Sequence, residues 1–359
     1  MKSFAASAAH LAGIKGLTPA YLILGATWRC NARCITCFNH LKLNEPGAEE
    51  LTVDEHRRIS LGMDPLMWLL FTGGEPVLRK ELPEIAEVYY RNAGARRITI
   101  QTNGLLPGGT VRTVENILDR CPKAGVAVSL GIDGTANIHD RMKGIDGAFD
   151  KLMDTYRRLA DLKTRRDKLS INLNTVLANL NFSDMEELMS FVLKNMPSAD
   201  FHGFELLRGN APDPNIQPPS PDDYEQLLGK LETYWSHFPF YSGPFRRLIK
   251  AAKMKARRME LDVMRGGKFT CRAGTVAGYI SPEGKVHFCE ELDECVGDLR
   301  QYDYNLKSVW AGKKAVVLRK RIKAERCSCT HSCFVGSSIL FNLKYYPDLA
   351  RRAIFNHIH

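Results

Sequence analysis

The chain has 359 residues, of which 44% are hydrophobic and 25% charged. This composition is typical of one large folded domain, or of one large and one small domain, and it excludes a disordered chain, a collagen-like repeat and a small disulfide-rich protein. No apolar run approaches the roughly 18–20 residues of a membrane-spanning helix. The net charge of +10 favours an anionic partner, whether a phosphorylated or carboxylated small molecule, an acidic protein, nucleic acid or an anionic membrane surface.

Six apolar runs predict β-strands, and the amphipathic segments between them predict helices. The predicted strands are Tyr21–Ala26, Met67–Phe71, Arg97–Gln101, Val126–Leu130, Leu169–Val176 and Phe201–Leu207. The predicted helices include Leu82–Tyr90, Val111–Leu118 and Phe149–Leu162, and Thr52 and Ser183 are predicted to cap two more. Strands and helices that alternate at this spacing predict parallel βα units, in an open sheet or a barrel.

The pattern changes after residue 209. A proline-rich linker leads to a helix start at Ser220-Pro221, and Phe245–Met259 follows as a helix with one strongly basic face. We expect that face to be solvated; binding of an anionic substrate or partner is the less favoured alternative. The sequence thus divides into an N-terminal extension (1–18), a βα domain (19–209), a linker and basic helix (210–264), a cysteine-rich module (265–336) and a tail (337–359).

The cysteines indicate metal binding. All of the ten except Cys121 fall in two groups, one near each end of the chain, whereas a secreted disulfide protein spreads its cysteines through a short chain. Cys121 is expected to be a buried apolar residue. Residues 1–18 faintly imitate a signal peptide but lack a long aliphatic core, so we expect a folded, cytoplasmic protein.

The first group is Cys30, Cys34 and Cys37, with the spacing C-x3-C-x2-C just after the first strand. Three thiolates can hold three irons of a cubane, although iron–sulfur clusters normally take four cysteines. One iron then stays open to an outside ligand, as catalytic zinc sites keep an open position. His40 is the candidate for a fourth ligand in the alternative of a closed structural site.

This triad and several later motifs, in the same order, resemble the radical S-adenosylmethionine (SAM) superfamily. Thr72-Gly73-Gly74-Glu75-Pro76 follows the second strand and resembles the family's GGEP segment, whose backbone receives the SAM amino group; Thr102-Asn103-Gly104 resembles the TNG turn. Glycines let a backbone approach a ligand closely. The resemblance implies a partial (β/α)6 TIM-type barrel with its functional residues at the carboxyl ends of the strands.

The same resemblance implies further SAM contacts. They are Ser129 and Asp133 after the fourth strand, Asn174 for the ribose and Leu177 for the adenine. Lys143 stands where relatives carry arginine. Lysine binds a carboxylate as a point charge and not with two parallel hydrogen bonds, so Arg141 or Arg208 are alternatives for binding that carboxylate. Thr36 replaces the usual aromatic residue before the third cysteine, and Phe38 could pack on the adenine instead.

The mechanism that the resemblance implies depends on the open iron. SAM chelates this iron, and a flavodoxin- or ferredoxin-type protein reduces the cluster. The reduced cluster then cleaves SAM, and the resulting 5′-deoxyadenosyl radical takes a hydrogen atom from an unactivated carbon. In such enzymes the cofactors supply the chemistry, while the protein positions the reactants and excludes solvent.

The second group of cysteines resembles the SPASM/twitch modules of radical SAM enzymes, which bind auxiliary iron–sulfur clusters. Cys271 and Cys289 flank a predicted hairpin, and Cys327, Cys329 and Cys333 follow. The shorter twitch form implies one auxiliary [4Fe–4S] cluster, held by Cys271 and Cys289 with Cys329 and Cys333, or with Cys327 in place of one of these. Zinc is the alternative, since four thiolates would also hold it.

Two candidates remain open at this stage. Cys295 is either an unremarkable thiol or, if it faces the barrel mouth, a hydrogen donor to a substrate radical. The tail mixes aromatic, aliphatic and basic residues, and we expect it to dock on the barrel rather than to contact a membrane surface.

The leading functional hypothesis is oxidation or dehydrogenation, or else epimerisation, of a small anionic or polar molecule. Modification of a peptide or other macromolecule is the alternative, disfavoured because few residues precede the first strand where such enzymes often carry a leader-binding domain. A non-enzymatic electron-transfer or scaffold protein is a third possibility, against which the intact triad and GGEP segment argue. No stable nucleic-acid partner is expected, since no module of stacking aromatic residues marks one.

Overall fold

The computed structural model describes residues 16–47, 49–241, 246–292 and 294–355. Most of the N-terminal extension (1–15) and the last four residues of the tail lie outside these ranges. The strands are β1 (Tyr21–Thr27), β2 (Trp68–Gly73), β3 (Arg97–Thr102), β4 (Gly125–Gly131), β5 (Leu169–Leu177), β6 (Phe201–Leu206), β7 (Ala277–Ile280), β8 (Lys285–His287) and β9 (Cys295–Asp298).

The six predicted strands are confirmed, and they form a parallel sheet in chain order from β1 to β6. The sheet does not stop at β1. On its other side β1 pairs in parallel with β7, in a register that sets Leu24 opposite Ile280. β7 and β8 form the predicted hairpin, and β9 adds a further antiparallel strand. The cysteine-rich module therefore extends the sheet of the partial barrel.

The helices of the βα domain cover the outer face of this sheet. They are α1 (Val53–Leu61), α2 (Leu82–Asn92), α3 (Pro107–Arg120), α4 (Ala136–Lys143), α5 (Ala148–Arg165) and α6 (Met185–Asn195). Thr52 caps α1 through a complete capping box, as predicted. Ser183 was predicted to cap α6, and this is wrong: a 3-10 turn at Phe182–Asp184 precedes that helix, and its first residue is Met185.

The remaining helices belong to the C-terminal third. They are α7 (Pro221–Trp235), α8 (Arg246–Met264), α9 (Leu306–Ala311), α10 (Lys313–Glu325), α11 (Ser332–Leu340) and α12 (Tyr346–Phe355). Ser220 caps α7 as expected, accepting a hydrogen bond from the Asp223 N–H at 3.1 Å. Among the described helices, none is long and apolar enough to cross a bilayer.

Strand alternation decides what faces the interior of the barrel. Along β5 every second residue from Leu169 is buried beneath the helices, and the intervening residues are only half-buried. Because side chains alternate across a strand, one face supplies the core and the other lines the barrel. Glu205, near the end of β6, contacts Arg257 of α8 and Ser332 of α11, so both helices lie against this strand.

The basic face of α8 is only partly solvated. Arg257, expected on that face, is buried and forms ion pairs with Glu260 at 2.8 Å and with Glu205 of β6 at 3.2 Å. A buried guanidinium requires carboxylate partners. Glu260 comes from α8 itself, whereas Glu205 comes from β6, which the sequence pattern of α8 does not reveal. The tail helix α12 packs on α8, where Lys255 pairs with Asp348 at 3.1 Å.

Candidate functional site

The loop that carries Cys30, Cys34 and Cys37 leaves the carboxyl end of β1 and is fixed by hydrogen bonds. The Cys30 N–H donates to Asn44 Oδ1 at 2.9 Å, and Asn44 Nδ2 donates back to the Cys30 carbonyl at 3.1 Å. Asn44 has a φ of 61°, a left-handed conformation that asparagine tolerates better than most residues. The sequence analysis missed Asn44, although an asparagine at the end of a cysteine loop is a recognisable turn signal.

The end of α4 holds the middle of the same loop. The Arg33 N–H donates to the Lys143 carbonyl and the Ile35 N–H to the Met142 carbonyl, both at 3.1 Å. Gly144 follows with a φ of 64°, and a Cβ there would lie 2.6 Å from the Arg33 carbonyl oxygen. The close approach of the two segments thus requires glycine.

The three thiols suit a cluster that leaves one position open. Burial raises the pKa of Cys30 to about 12 and that of Cys37 to about 11, and it also raises the pKa of Cys34. Thiolates here therefore need bound cations to compensate the desolvation. His40, the candidate for a fourth ligand, places Nδ1 2.9 Å from the Cys37 carbonyl oxygen.

Among the described residues, no three ligand side chains surround a point as they would a single ion. An iron–sulfur cluster does not need its cysteines to surround one point, because each thiolate binds a different iron.

The GGEP segment packs against this loop. A Cβ on Gly73, which has a φ of 112°, would lie 2.5 Å from the Thr27 carbonyl oxygen, and a Cβ on Gly74 would overlap the backbone of Arg29. The Gly74 N–H donates to the Thr27 carbonyl at 2.7 Å. The sequence analysis attributed these glycines to close approach of a ligand; in the structure they also allow two protein segments to meet backbone to backbone.

Glu75 joins the GGEP segment to the TNG turn. Its buried carboxylate accepts from Thr102 Oγ1 and from the Asn103 N–H, each at 2.8 Å. Burial raises the pKa of Glu75, and the hydrogen bonds oppose this rise. Asn103 Nδ2 in turn donates to Asn31 Oδ1 of the cysteine loop at 2.8 Å. These side-chain hydrogen bonds join the segments that follow β1, β2 and β3.

The predicted ribose and methionine contacts lie on the inner face of the barrel. Ser129 of β4 pairs in register with Gln101 of β3 and Asn172 of β5, and Asn174 follows two residues later. All four are half-buried and polar, and Thr72 lies at the end of β2 in the same sheet. Gln101 and Asn172 were missed, although the alternation of their strands places them on this face.

Leu177 differs from Asn174. It is fully buried and belongs to the core-facing residues of β5.

Asp133 and Lys143 form a buried ion pair at 2.7 Å. Burial favours the neutral acid, but the ammonium of Lys143 outweighs it and lowers the pKa of Asp133. Burial likewise opposes charging of Lys143, yet Asp133 raises its pKa above the ordinary value. Asp133 also accepts from the Val176 N–H at 2.9 Å. Lys143 thus neutralises a carboxylate of the protein, and Arg141 is exposed.

Arg208 lies between the two cysteine-rich regions. Its guanidinium is 4.8 Å from the centre of the Phe38 ring, one residue after Cys37. Arg208 Nε is 3.1 Å from Glu291 Oε1, two residues after Cys289. One side chain at the end of β6 therefore contacts both loops that carry cysteines.

The second group of cysteines converges on one side of the barrel. An antiparallel bridge between Phe269 and Cys327 brings Cys327 beside Cys271, and the neighbouring thiols of Cys271 and Cys329 raise the pKa of Cys327. The Cys327 contact lowers the pKa of Cys329 to about 6, more than burial raises it. Cys289 lies close enough to these thiols for Cys329 to raise its pKa, after the larger effect of burial.

Cys333 lies near Tyr21 and His331, close enough to raise the pKa of both side chains. Cys295 lies on β9, three strands from β1 in the sheet order, and its Sγ donates to the Gly297 carbonyl at 3.3 Å. Cys295 therefore lies outside the barrel strands.

Comparison with known proteins identifies the family. Residues 26–192 match the model of the radical SAM superfamily, and residues 271–334 match that of the SPASM iron-sulfur cluster-binding domain. The AdoMet-dependent heme synthase of Methanosarcina barkeri is 30% identical over 312 residues, which cover 81% of this chain and 81% of that protein.

The chain belongs to the radical SAM superfamily. As a member with a SPASM domain it binds a [4Fe–4S] cluster with SAM, and an auxiliary iron–sulfur cluster rather than zinc. The PqqA peptide cyclase of Rhodopseudomonas palustris is 30% identical over 179 residues, 49% of this chain and 44% of that protein. The family therefore includes relatives of this radical SAM enzyme with different kinds of substrate.

Solved structures agree with the fold. The anSMEcpe structure with bound AdoMet has a TM-score of 0.61 at 18% identity, covering 95% of this chain and 100% of that one. Streptococcus suis SuiB bound to S-adenosylmethionine has a TM-score of 0.61 at 16% identity, covering 86% of this chain and 71% of that one. At these identities the likeness shows the partial barrel and its C-terminal module, as predicted.

Proposed function

We propose that this radical SAM enzyme performs a net two-electron oxidation of a small, carboxylate-bearing molecule inside the barrel. The observation that carries the proposal is the second group of thiols, because Arg208 contacts both the loop that follows Cys289 and the loop that holds the first group. When bound, the three-thiolate cluster and SAM supply the one-electron cleavage that produces a hydrogen-abstracting radical. The barrel holds the substrate in reach of both redox centres.

The balance of the reaction explains the second centre. The substrate loses one hydrogen atom to the 5′-deoxyadenosyl radical, which becomes 5′-deoxyadenosine. It then loses one electron to the auxiliary cluster and one proton to solvent, so its oxidation state rises by two. SAM leaves as methionine and 5′-deoxyadenosine, and an external one-electron protein reductant supplies the electron that cleaves it.

For the first cluster we propose Cys30, Cys34 and Cys37 as ligands, with the glycine-rich, TNG and inner-face residues around SAM. For the auxiliary cluster the geometry favours Cys271, Cys289, Cys327 and Cys329 over a set that includes Cys333. The closeness of the Cys327 thiol to those of Cys271 and Cys329 supports this choice, as does the position of Cys333 near Tyr21.

A small anionic substrate is supported by the charge of +10 and by the similarity to a curated relative over 81% of this chain. That relative is named for heme, and a second one, 36% identical over 36% of this chain, for Fe-coproporphyrin III. Both compounds are iron porphyrins that carry carboxylate side chains. We therefore take carboxylate-bearing tetrapyrroles as the first substrates to test.

Two alternatives remain as competing proposals. Epimerisation needs a thiol that returns a hydrogen atom; Cys295 is bonded to the backbone of an edge strand, which favours oxidation. Peptide modification is supported by the similarity to a peptide cyclase over about half of the chain. The mass of the product distinguishes oxidation from epimerisation, because oxidation removes two hydrogens from the substrate and epimerisation in deuterated water adds one deuteron.

The test begins with anaerobic reconstitution of the full chain with iron and sulfide. About eight irons per chain are expected for two cubanes. The reduced protein should convert SAM to 5′-deoxyadenosine, and a variant with Cys30, Cys34 and Cys37 changed to alanine should not. With Fe-coproporphyrin III present, a product of lower mass by whole hydrogen pairs, or by carboxylate groups lost with them, supports the proposal. Intact porphyrin beside a modified peptide overturns it.

A further inference from the structure

The interior of the barrel contains more cations than carboxylates can pair. Three interior cationic groups have partners. Arg257 pairs with Glu205 and Glu260, Arg208 with Glu291 at 3.1 Å, and His331 with Glu290 at 2.9 Å. Lys253 and Arg97 are different: within the described part of the chain, no carboxylate lies in ion-pair distance of either.

Lys253 reaches into the barrel from α8. Its Nζ lies 4.1 Å from the centre of the Phe201 ring, at the start of β6, and 5.4 Å from that of Phe240. Burial, and then the charge of Arg257, lower the pKa of Lys253 to about 8. The aromatic rings offer the ammonium a cation–π contact, which is weaker than a carboxylate partner in a desolvated site.

Arg97 lies near Lys253 but belongs to β3. It begins β3, and its guanidinium lies 5.2 Å from the centre of the Trp68 ring, which stacks on Tyr21 at 4.7 Å. Arg97 keeps a large accessible surface although the surrounding protein lowers its pKa by desolvation. That combination is expected of a side chain that lines an internal space. The charges of Arg97 and Lys253 are close enough to lower the pKa of the lysine further.

We propose that Lys253 and Arg97 form an anion-binding floor of the barrel that holds a carboxylate of the substrate. A desolvated cation without a counter-ion is costly, and a carboxylate bound between Lys253 and Arg97 would complete the charge balance of the interior. The inference rests on the proposed function, since it places the substrate of that reaction. It adds which residues recognise the substrate and where.

The position of the floor also sets the size of the substrate. Trp68, beside Arg97, lies at the amino end of β2, and Thr72 of the SAM-binding segment lies four residues further, which is about 13 Å along a strand. A molecule whose reacting carbon faces SAM while its carboxylate reaches the floor must span that distance. A porphyrin with carboxylate side chains is of this size, whereas a small sugar or amino acid is not.

Binding is tested separately from catalysis, on the reconstituted full chain with SAM and without reductant. The probe is Fe-coproporphyrin III, titrated by its Soret absorbance, and its tetramethyl ester is the uncharged control. The wild type should bind the acid much more tightly than the ester. K253M and R97M should each weaken binding of the acid by about tenfold or more, as expected for loss of a charge-assisted contact, and leave the ester unchanged.

Two further variants make the result unambiguous. K253R keeps the charge and should restore most of the affinity, which a loss of fold could not explain. K151M removes an exposed lysine of α5 and should bind like the wild type. The inference is overturned if acid and ester bind alike, if the acid does not bind, or if K253M and R97M bind it like the wild type. Failure of the proposed function looks different, because the protein then binds the acid but never oxidises it.

Discussion

The contact between Gly144 and the cysteine loop gives a sharp test of how the first cluster site is held. Gly144 and Gly147 both adopt left-handed backbone, with φ of 64° and 72°. A Cβ on Gly144 would lie 2.6 Å from the Arg33 carbonyl oxygen, whereas a Cβ on Gly147 would meet nothing within 4 Å. The variants G144A and G147A therefore share the backbone strain and differ in the collision with the loop.

The magnitudes follow from this difference. Alanine in the left-handed region costs about 1–2 kcal/mol, which is the whole effect expected for G147A. Displacement of a packed backbone segment adds about 1–3 kcal/mol for G144A. The unfolding temperature should fall by roughly 2–4 °C for each kcal/mol. Because the displaced segment carries Cys30, Cys34 and Cys37, G144A should also retain less iron at the first site.

The assay is thermal unfolding by circular dichroism, with iron content measured on the same anaerobic samples. G144A should unfold at the lower temperature and lose iron, while G147A keeps the iron content of the wild type. Equal unfolding temperatures and equal iron content in the two variants would refute the idea that α4 holds the loop through this contact.

Three more predictions concern buried polar groups and the auxiliary ligands. K143M leaves the Asp133 carboxylate without its cation and should cost about 3–5 kcal/mol in urea unfolding. Without Lys143, burial raises the pKa of Asp133, so the loss should be larger at pH 8 than near pH 4, where the carboxyl of the variant gains a proton. C327S should reduce iron from about eight to about four per chain, while C333S keeps about eight, and the reverse result would restore Cys333 as a ligand. E75Q turns an amide N–H toward a backbone donor and should destabilise the protein by about 1–3 kcal/mol in the same unfolding assay; unchanged stability would contradict the bridging role of Glu75.

The barrel strands could be predicted because each is an apolar run or alternates between buried and half-buried residues. β5 shows why: its period of two is uninterrupted over nine residues, so its identity and its inner face could both be read. The cap of α6 was predicted wrongly because Ser183 satisfies the sequence pattern, while the chain first makes a 3-10 turn. Local patterns do not distinguish these two starts.

Contacts between distant segments could not be predicted. The parallel pairing of β1 with β7 joins residues more than 250 positions apart, and no periodicity of either strand encodes its partner. The pairing of Arg257 with Glu205 is of the same kind, since a basic helix face looks solvated until the acidic partner is known. The choice among Cys327, Cys329 and Cys333 depends on side-chain direction, which spacing alone leaves open.

The pairing of β1 with β7 has a consequence for any attempt to divide the protein. A truncated chain ending before residue 271 would leave one long side of the fully buried β1 without its partner. Unsatisfied backbone groups on a flat apolar strand invite self-association, so the isolated βα portion should precipitate rather than behave as a minimal enzyme. The C-terminal third is thus part of the scaffold. The backbone hydrogen bonds between β1 and β7 fix the position of the second group of cysteines relative to the first.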